Sequence, residues 1–195
     1  MAFRVDEFVS KLPGGGARGN LFEVSIDAPT SLALADTQDI RFLVQASTIP
    51  GATIGVTELN YFGRAVKLAG NKTFDDWTTT IMNDEDFHIR RVMEQWSESI
   101  LGNSSNTRRI GALTSSSYMG TGTVTQYGKS GAAIREYKIA NIWPNTLAEL
   151  TVDWSENDAI QTYDVTWSYS HWVSQDAGDS YSITVQTPLG SATVG

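Results

Sequence analysis

Four places in this chain carry residue types whose spacing invites chemistry. Gly14, Gly16 and Gly19 spell Gly-x-Gly-x-x-Gly. That spacing lets a backbone turn approach a pyrophosphate, but it needs a strand before it and a helix after it. Here a strand is expected to follow, so the dinucleotide reading fails on context. Asp153-x-Ser155-x-Asn157 resembles the opening of a calcium loop. The central glycine of such a loop is Asp158 here, and the flanks read as strands rather than helices. An Asx-rich turn is the better reading. The two histidines, His88 and His171, lack the partners that a zinc site or a catalytic triad would need. Asp75 and Asp76 are adjacent carboxylates, and neighbours on a strand point to opposite faces. On regular strand geometry, Phe74 and Asp76 share one face and Asp75 and Trp77 the other. Trp77 is expected in the core.

The remaining chemistry is narrowed by composition. The chain of 195 residues has no cysteine, so disulfides, thiolate metal sites and a cysteine nucleophile are excluded. Asn71 and Asn103 begin glycosylation sequons, which carry no weight where no secretory signal is visible. No apolar run approaches the roughly 20 residues that span a bilayer, and no membrane partner is expected. The formal net charge of −8 argues against a protein that grips nucleic acid through phosphates, since that takes clustered Lys and Arg. An acidic surface is instead a poor one for DNA to stick to. No cofactor, metal or enzymatic activity is expected.

The elements that position these residues are mostly strands. Residues 1 to 12 form a short helix, followed by the break Pro13-Gly14-Gly15-Gly16. Strands are expected at 21–27, 40–49, 53–68 (bent at Gly55 and Gly63) and 73–82. Asn83 or Asp84 caps a helix running to Leu101, with Ile89, Val92, Met93, Trp96 and Ile100 on one face. Residues 102–131 read as a long loop or irregular hairpin. Further strands are expected at 134–143, 147–154 and 160–173, and one more at 181–187. In 160–173, Tyr163, Val165, Trp167, Tyr169 and His171 alternate against Thr162, Asp164, Thr166, Ser168 and Ser170. The sum is a mainly β protein, an antiparallel β-sandwich or open barrel with one flanking α-helix. Two function classes fit: a self-assembling structural protein, or a β-sandwich module that binds carbohydrate through Trp167, Tyr169 and Trp172.

A resemblance decides between them. The stretch from Gly70 to Asp84 contains Thr73-Phe74-Asp75-Asp76-Trp77 and then Met82-Asn83-Asp84. It resembles a signature of the tail tube proteins of contractile-tailed bacteriophages. Asn20 to Val24 agrees, as do Tyr137 to Asn145 with Trp143-Pro144, Leu150 to Trp154 with Asp153-Trp154, and Ile160 to Tyr163. The resemblance covers roughly residues 18 to 172. It implies a structural virion protein whose six copies form a ring, with rings stacked into the hollow inner tube through which DNA is ejected. It implies as partners other copies of the chain, a tail sheath protein, a baseplate, a tape-measure protein, a tail terminator and double-stranded DNA passing without specific binding. It places the protein in the virion tail, assembled in the host cytoplasm. The inner tube of a phage-derived contractile injection system would look much the same.

The expected organisation is a flexible arm at 1–19, a tube domain at 20–173 and an extension at 174–195. Segments 1–19, 102–131 and 174–195 are expected to order on assembly. The lumen is expected to be weakly acidic, with Glu58, Glu149, Thr151 and Asp153 as strand-borne candidates for its lining.

Overall fold

The computed structural model describes residues 5–12, 15–32, 40–155, 157–176, 183–187 and 190–194. Helix α1 (Val5–Ser10) precedes strand β1 (Phe22–Asp27) and a short 3-10 turn at Thr30–Leu32. Where a strand was expected from residue 40, four residues instead form α2 (Ile40–Leu43) before β2 (Val44–Ser47). Four residues are barely one turn, too few to show a helical period in sequence. The single expected strand 53–68 is a hairpin, β3 (Thr53–Tyr61) and β4 (Arg64–Thr73), because Phe62 and Gly63 both take positive φ and reverse the chain. Strand β5 (Trp77–Met82) follows.

Helix α3 (His88–Ile100) starts later than the expected cap. Phe87 is left-handed at φ 54°, and the Asp84 carboxylate accepts the His88 N–H at 3.2 Å. Asp84 thus satisfies one of the orphan donors of the first turn from four residues back. The segment expected as a loop at 102–131 contains a 3-10 turn (Ile110–Ala112), the short α4 (Ser115–Tyr118) and an eight-residue strand, β6 (Gly120–Tyr127). Strand β7 (Ala133–Leu147) is continuous through Trp143-Pro144. Residues 148–161 are not a strand, and β8 (Thr162–Ser168) and β9 (His171–Asp176) complete the body. Beyond it, β10 (Ile183–Thr187) and β11 (Gly190–Val194) pair with each other. The strand expected at 181–187 thus appears from Ile183. Residues 181 and 182 lie outside the described set.

The body is one antiparallel sheet of seven strands in the order β1-β6-β7-β8-β5-β2, with β9 also paired to β7. Its organiser is β7. The first ten residues pair with β6, and within them 135–140 also pair with β9; the last five pair with β8. The partners change at Asn141. Gly120 pairs with Ile142 and Thr121 with Ala140, so Asn141 is skipped, and it sits at φ 60°. That is a bulge with a left-handed residue, a conformation Asn tolerates. Its amide donates to Ser170 Oγ at 3.2 Å, at the matching joint between β8 and β9. A second register shift falls at Asn145, beside Pro144, which has no N–H to give a ladder.

The core lies between the bent sheet and α3. Ile89, Val92, Met93 and Trp96 are its helical contribution, at the spacing of one amphipathic face. Trp96 meets Trp167 of β8 at 5.5 Å between ring centres, and Trp167 meets Trp77 of β5 at 6.2 Å. All three rings are fully buried, and each indole N–H has an acceptor: Thr48 O for Trp77, Tyr118 O for Trp96 and Thr79 Oγ1 for Trp167. Two glycines of β6 make room. A Cβ at Gly120 would lie 2.3 Å from Asp27 O and 3.0 Å from the Trp96 ring, and one at Gly122 would lie 3.1 Å from Trp77.

Replacing Trp96 with Ala should cost about 3–5 kcal/mol in denaturant unfolding, the range for losing a buried Trp. Tyr163 behaves differently. Its hydroxyl is buried without a hydrogen-bond partner among the described residues, and burial pushes its pKa well above the ordinary phenol value. Because the folded pKa lies above the unfolded one, this group stabilises the fold below pH about 10 and loses that contribution as pH rises further. Tyr163→Phe should leave stability at pH 7 within about 0.5 kcal/mol and flatten the alkaline side of a melting-temperature profile.

Candidate assembly interface

Every residue of β3 and all but one of β4 are exposed. The cross-strand pairs sort the side chains. Leu59 faces Val66, Thr57 faces Leu68 and Tyr61 faces Arg64 on one side, while Glu58 faces Lys67 and Asn60 faces Ala65 on the other. The first face carries the apolar run Leu59, Tyr61, Val66 and Leu68, and the second mixes Val56, Ala65 and Ala69 with Asn60 and with Glu58, which is ion-paired with Lys67 at 3.4 Å. The strands close up at a bulge near their base, where a Cβ on Gly70 would come within 3.0 Å of Gly55 O. At the tip Phe62 is left-handed and 92% exposed. An isolated two-stranded hairpin is at best marginally stable in water. An amphipathic one held clear of its own core presents two free strand edges and an apolar face to a partner.

The base of the hairpin is fastened to the body. Phe74 packs near Tyr169 and Trp172, with centroids at 6.0 and 6.5 Å, and Lys72 Nζ lies 5.2 Å above Phe74 and 5.6 Å above Trp172. The Trp172 indole donates to Gly51 O at 3.0 Å, gripping the strand's entry. Desolvation, then the nearby Asp75 and Asp76 charges, raise the pKa of Tyr169.

This arrangement disperses the aromatic cluster considered for carbohydrate. Trp167 is in the core, and Tyr169 and Trp172 lie under Phe74 and Lys72. The Phe74–Asp76 segment is a linker between β4 and β5 and not part of a strand, because β4 pairs only within the hairpin while β5 pairs with β2 and β8. The strict face assignment for Asp75 and Asp76 therefore lapses. Asp76 is an anchor: Oδ1 accepts from Ser168 Oγ at 2.8 Å and Oδ2 from the Asn145 amide at 3.3 Å. Asn83 holds Gln161 twice, by its backbone N–H to Gln161 O at 2.8 Å and by its amide to Gln161 Oε1 at 3.2 Å. Met82 and Trp143 are half-buried and Pro144 is buried.

Of the lumen candidates, Glu58 is on a strand. Glu149, Thr151 and Asp153 are not; they belong to the exposed loop between β7 and β8, which finds no strand partner. The hairpin carries Arg64, Lys67 and Lys72 against the single acid Glu58, so that segment is basic. In the loop, Asp153 Oδ1 accepts from the Ser155 N–H at 2.9 Å and from its hydroxyl at 2.7 Å, an Asx turn that holds the carboxylate below its usual pKa. Trp154 beside it is fully exposed, at 101%. Gly14 lies outside the described residues, and Gly16 and Gly19 lead directly towards β1. No group of three or more His, Asp or Glu is placed to hold a metal ion among the described residues. No described helix is long and apolar enough to cross a membrane.

The family profile described as phage tail tube protein matches residues 17–175. Tail tube protein gp19 of Enterobacteria phage T4 is 32% identical over 160 residues, 82% of this chain and 92% of that one. The tail tube protein of Serratia phage KSP90 is 24% identical over 173 residues, 87% and 96% of the two chains. Two solved structures share the fold. A chain of the anti-feeding prophage baseplate superposes with a TM-score of 0.60 at 8% identity, covering 83% of this chain and 97% of its own. A chain of the sheath–tube complex of the PVC extracellular contractile injection system superposes at 0.58 and 15% identity, covering 90% and 100%.

The two adjacent acids should separate by mutation. Asp76→Ala removes two hydrogen bonds and should cost about 1 kcal/mol, whereas Asp75→Ala should stay within about 0.5 kcal/mol, both measured by urea unfolding.

Proposed function

We propose, since this chain belongs to the phage tail tube protein family, that its copies close into rings of six and that the rings stack into the inner tube of a contractile tail. The observation that carries this reading is the β3–β4 hairpin. It has an apolar face, two unpaired edges and no cover from its own chain among the described residues. A neighbouring copy that accepts the hairpin would extend its own sheet, adding backbone hydrogen bonds and burying Leu59, Tyr61, Val66 and Leu68. Repeated around a ring, that contact leaves no free edge. Obligate contacts of this kind bury upward of about 2,000 Å².

The protein on this reading is structural and not an enzyme. Its further partners are a tail sheath, a baseplate, a tape-measure protein and a tail terminator, and double-stranded DNA passes through it. It resides in the virion tail after assembly in the host cytoplasm. The inner tube of a contractile injection system is a second reading, favoured by the fold shared with the anti-feeding prophage and PVC chains. The identity to the T4 protein over most of both chains weighs toward the phage tail.

Leu59→Asp combined with Val66→Asp tests the assembly role. Both residues are exposed in the single chain, so each change should move its unfolding free energy by no more than about 0.5 kcal/mol. Purified wild type should give rings and tubes in negative-stain images, and the double variant should sediment as a monomer. Rings from the double variant would refute the role given to the hairpin.

A further inference from the structure

The loop between β7 and β8 ends in a feature that the hairpin does not account for. Trp154 stands wholly in solvent, and Val152 and Ile160 of the same loop are exposed too. The residues on either side of it are tied by hydrogen bonds. Asp153 ties the turn to Ser155, Gln161 Nε2 donates back to Thr151 O at 3.2 Å, and Gln161 is itself held by Asn83. A Trp side chain has two rotatable bonds to order on burial, and Trp is enriched among residues that dominate interfaces. The loop, residues 148–161, contains four acids and no base.

At the other end of β7 lies a cleft of about 470 Å³, formed where the chain enters β1 and where β6 turns into β7. Leu21, Tyr127 and Ile134 give it apolar walls, and Arg18 and Lys129 stand at its rim. The two segments that build it, 15–21 and 127–134, contain two bases and no acid. Cleft and loop are thus opposite in shape and in charge. They are also separated by the whole of β7, which starts at Ala133 beside the cleft and ends at Leu147 before the loop. Fifteen residues at about 3.3 Å each span roughly 50 Å before bending. A loop at one end of the strand meets a cleft at the other end only in a different copy.

We propose that Trp154, on the acidic loop 148–161 of one copy, seats in the basic-rimmed cleft of the next, and that this contact joins successive rings. It is a head-to-tail contact between unlike surfaces, which repeats without limit along an axis. Contacts around the ring are left to the hairpin. A Trp side chain seated this way buries on the order of 150–250 Å², and the rim charges fix its approach. The inference rests on the tube reading given above.

The absence of cysteine allows a direct test. Asn157→Cys places one thiol on the loop and Ser130→Cys one on the cleft rim, both at exposed positions. Under mild oxidation of assembled full-length protein, the double-cysteine chain should give a covalent ladder that climbs past the number of subunits in one ring, and neither single variant should pass a dimer. A ladder that stops at one ring, or no ladder from tubes visible by microscopy, overturns the proposal. Trp154→Ala is the second arm. Its melting temperature should match wild type because the side chain touches nothing in the single chain, and it should form single rings that do not stack. Tubes of normal length from Trp154→Ala overturn the proposal while leaving the tube reading intact. Wild type that forms no rings at all brings down both.

Discussion

The fold depends on one strand serving two sets of partners. Strand β7 pairs with β6 and β9 along its first ten residues and with β8 along its last five. Without the change of partner at Asn141, the two halves of the sheet would have no shared member. The left-handed bulge there turns the strand, and the joint between β8 and β9 turns with it, stitched by the Asn141–Ser170 hydrogen bond. Bulges increase local twist and re-aim strands, and this one lets a seven-stranded sheet bend over a single helix. The tryptophan stack then fills the concavity. Each indole is buried with its N–H satisfied, so the large apolar rings carry no polar penalty into the core.

What sets off the candidate assembly surface is the contrast between this core and the hairpin. The body holds a fully buried core from β1, β5, α3, β6, β7 and β8, while β3 and β4 bury essentially none of their apolar residues. The aromatic clamp of Phe74, Trp172 and Lys72 marks the boundary between the two. The signature around residues 70–84 spans that boundary. Its Phe anchors the hairpin's base, Asp76 ties the linker to the second bulge of β7, Trp77 enters the core, and Asn83 and Asp84 fasten the β8 entry and the helix start.

Much of this was legible in the residues. The face of α3 and the alternation of β8 each depend on one packed surface, which periodicity reports well. The errors have physical causes. Residues 147–154 alternate as a strand does, but alternation says nothing of whether a backbone partner exists; Leu147 and Ala148 still pair with β8, and beyond them no strand partner is found among the described residues. Strand β6 reads as a loop because of Gly120 and Gly122, yet those glycines are required by the Trp96 and Trp77 rings above them. Residues 53–68 read as one bent strand because a Phe at the first turn position hides the reversal that Phe62-Gly63 makes. The missed part of the candidate interface, the face of Leu59 and Val66, follows from that error alone, since cross-strand neighbours emerge only when the hairpin is seen.

The hairpin has an electrostatic consequence too. Its 53–73 span carries three bases and one acid in a chain of net charge −8, so each copy is a basic arm on an acidic body. Two copies approaching body to body repel, and two approaching arm to body attract. The long-range field therefore selects the orientation before any side chain touches, and it does so within a screening distance of roughly 10 Å at 0.1 M salt. Ionic strength then acts on the approach of free chains, since it screens the arm-to-body attraction and the body-to-body repulsion alike. In dilute buffer both reach further, so orientation is chosen at a greater distance; in strong salt it is left to the contact itself.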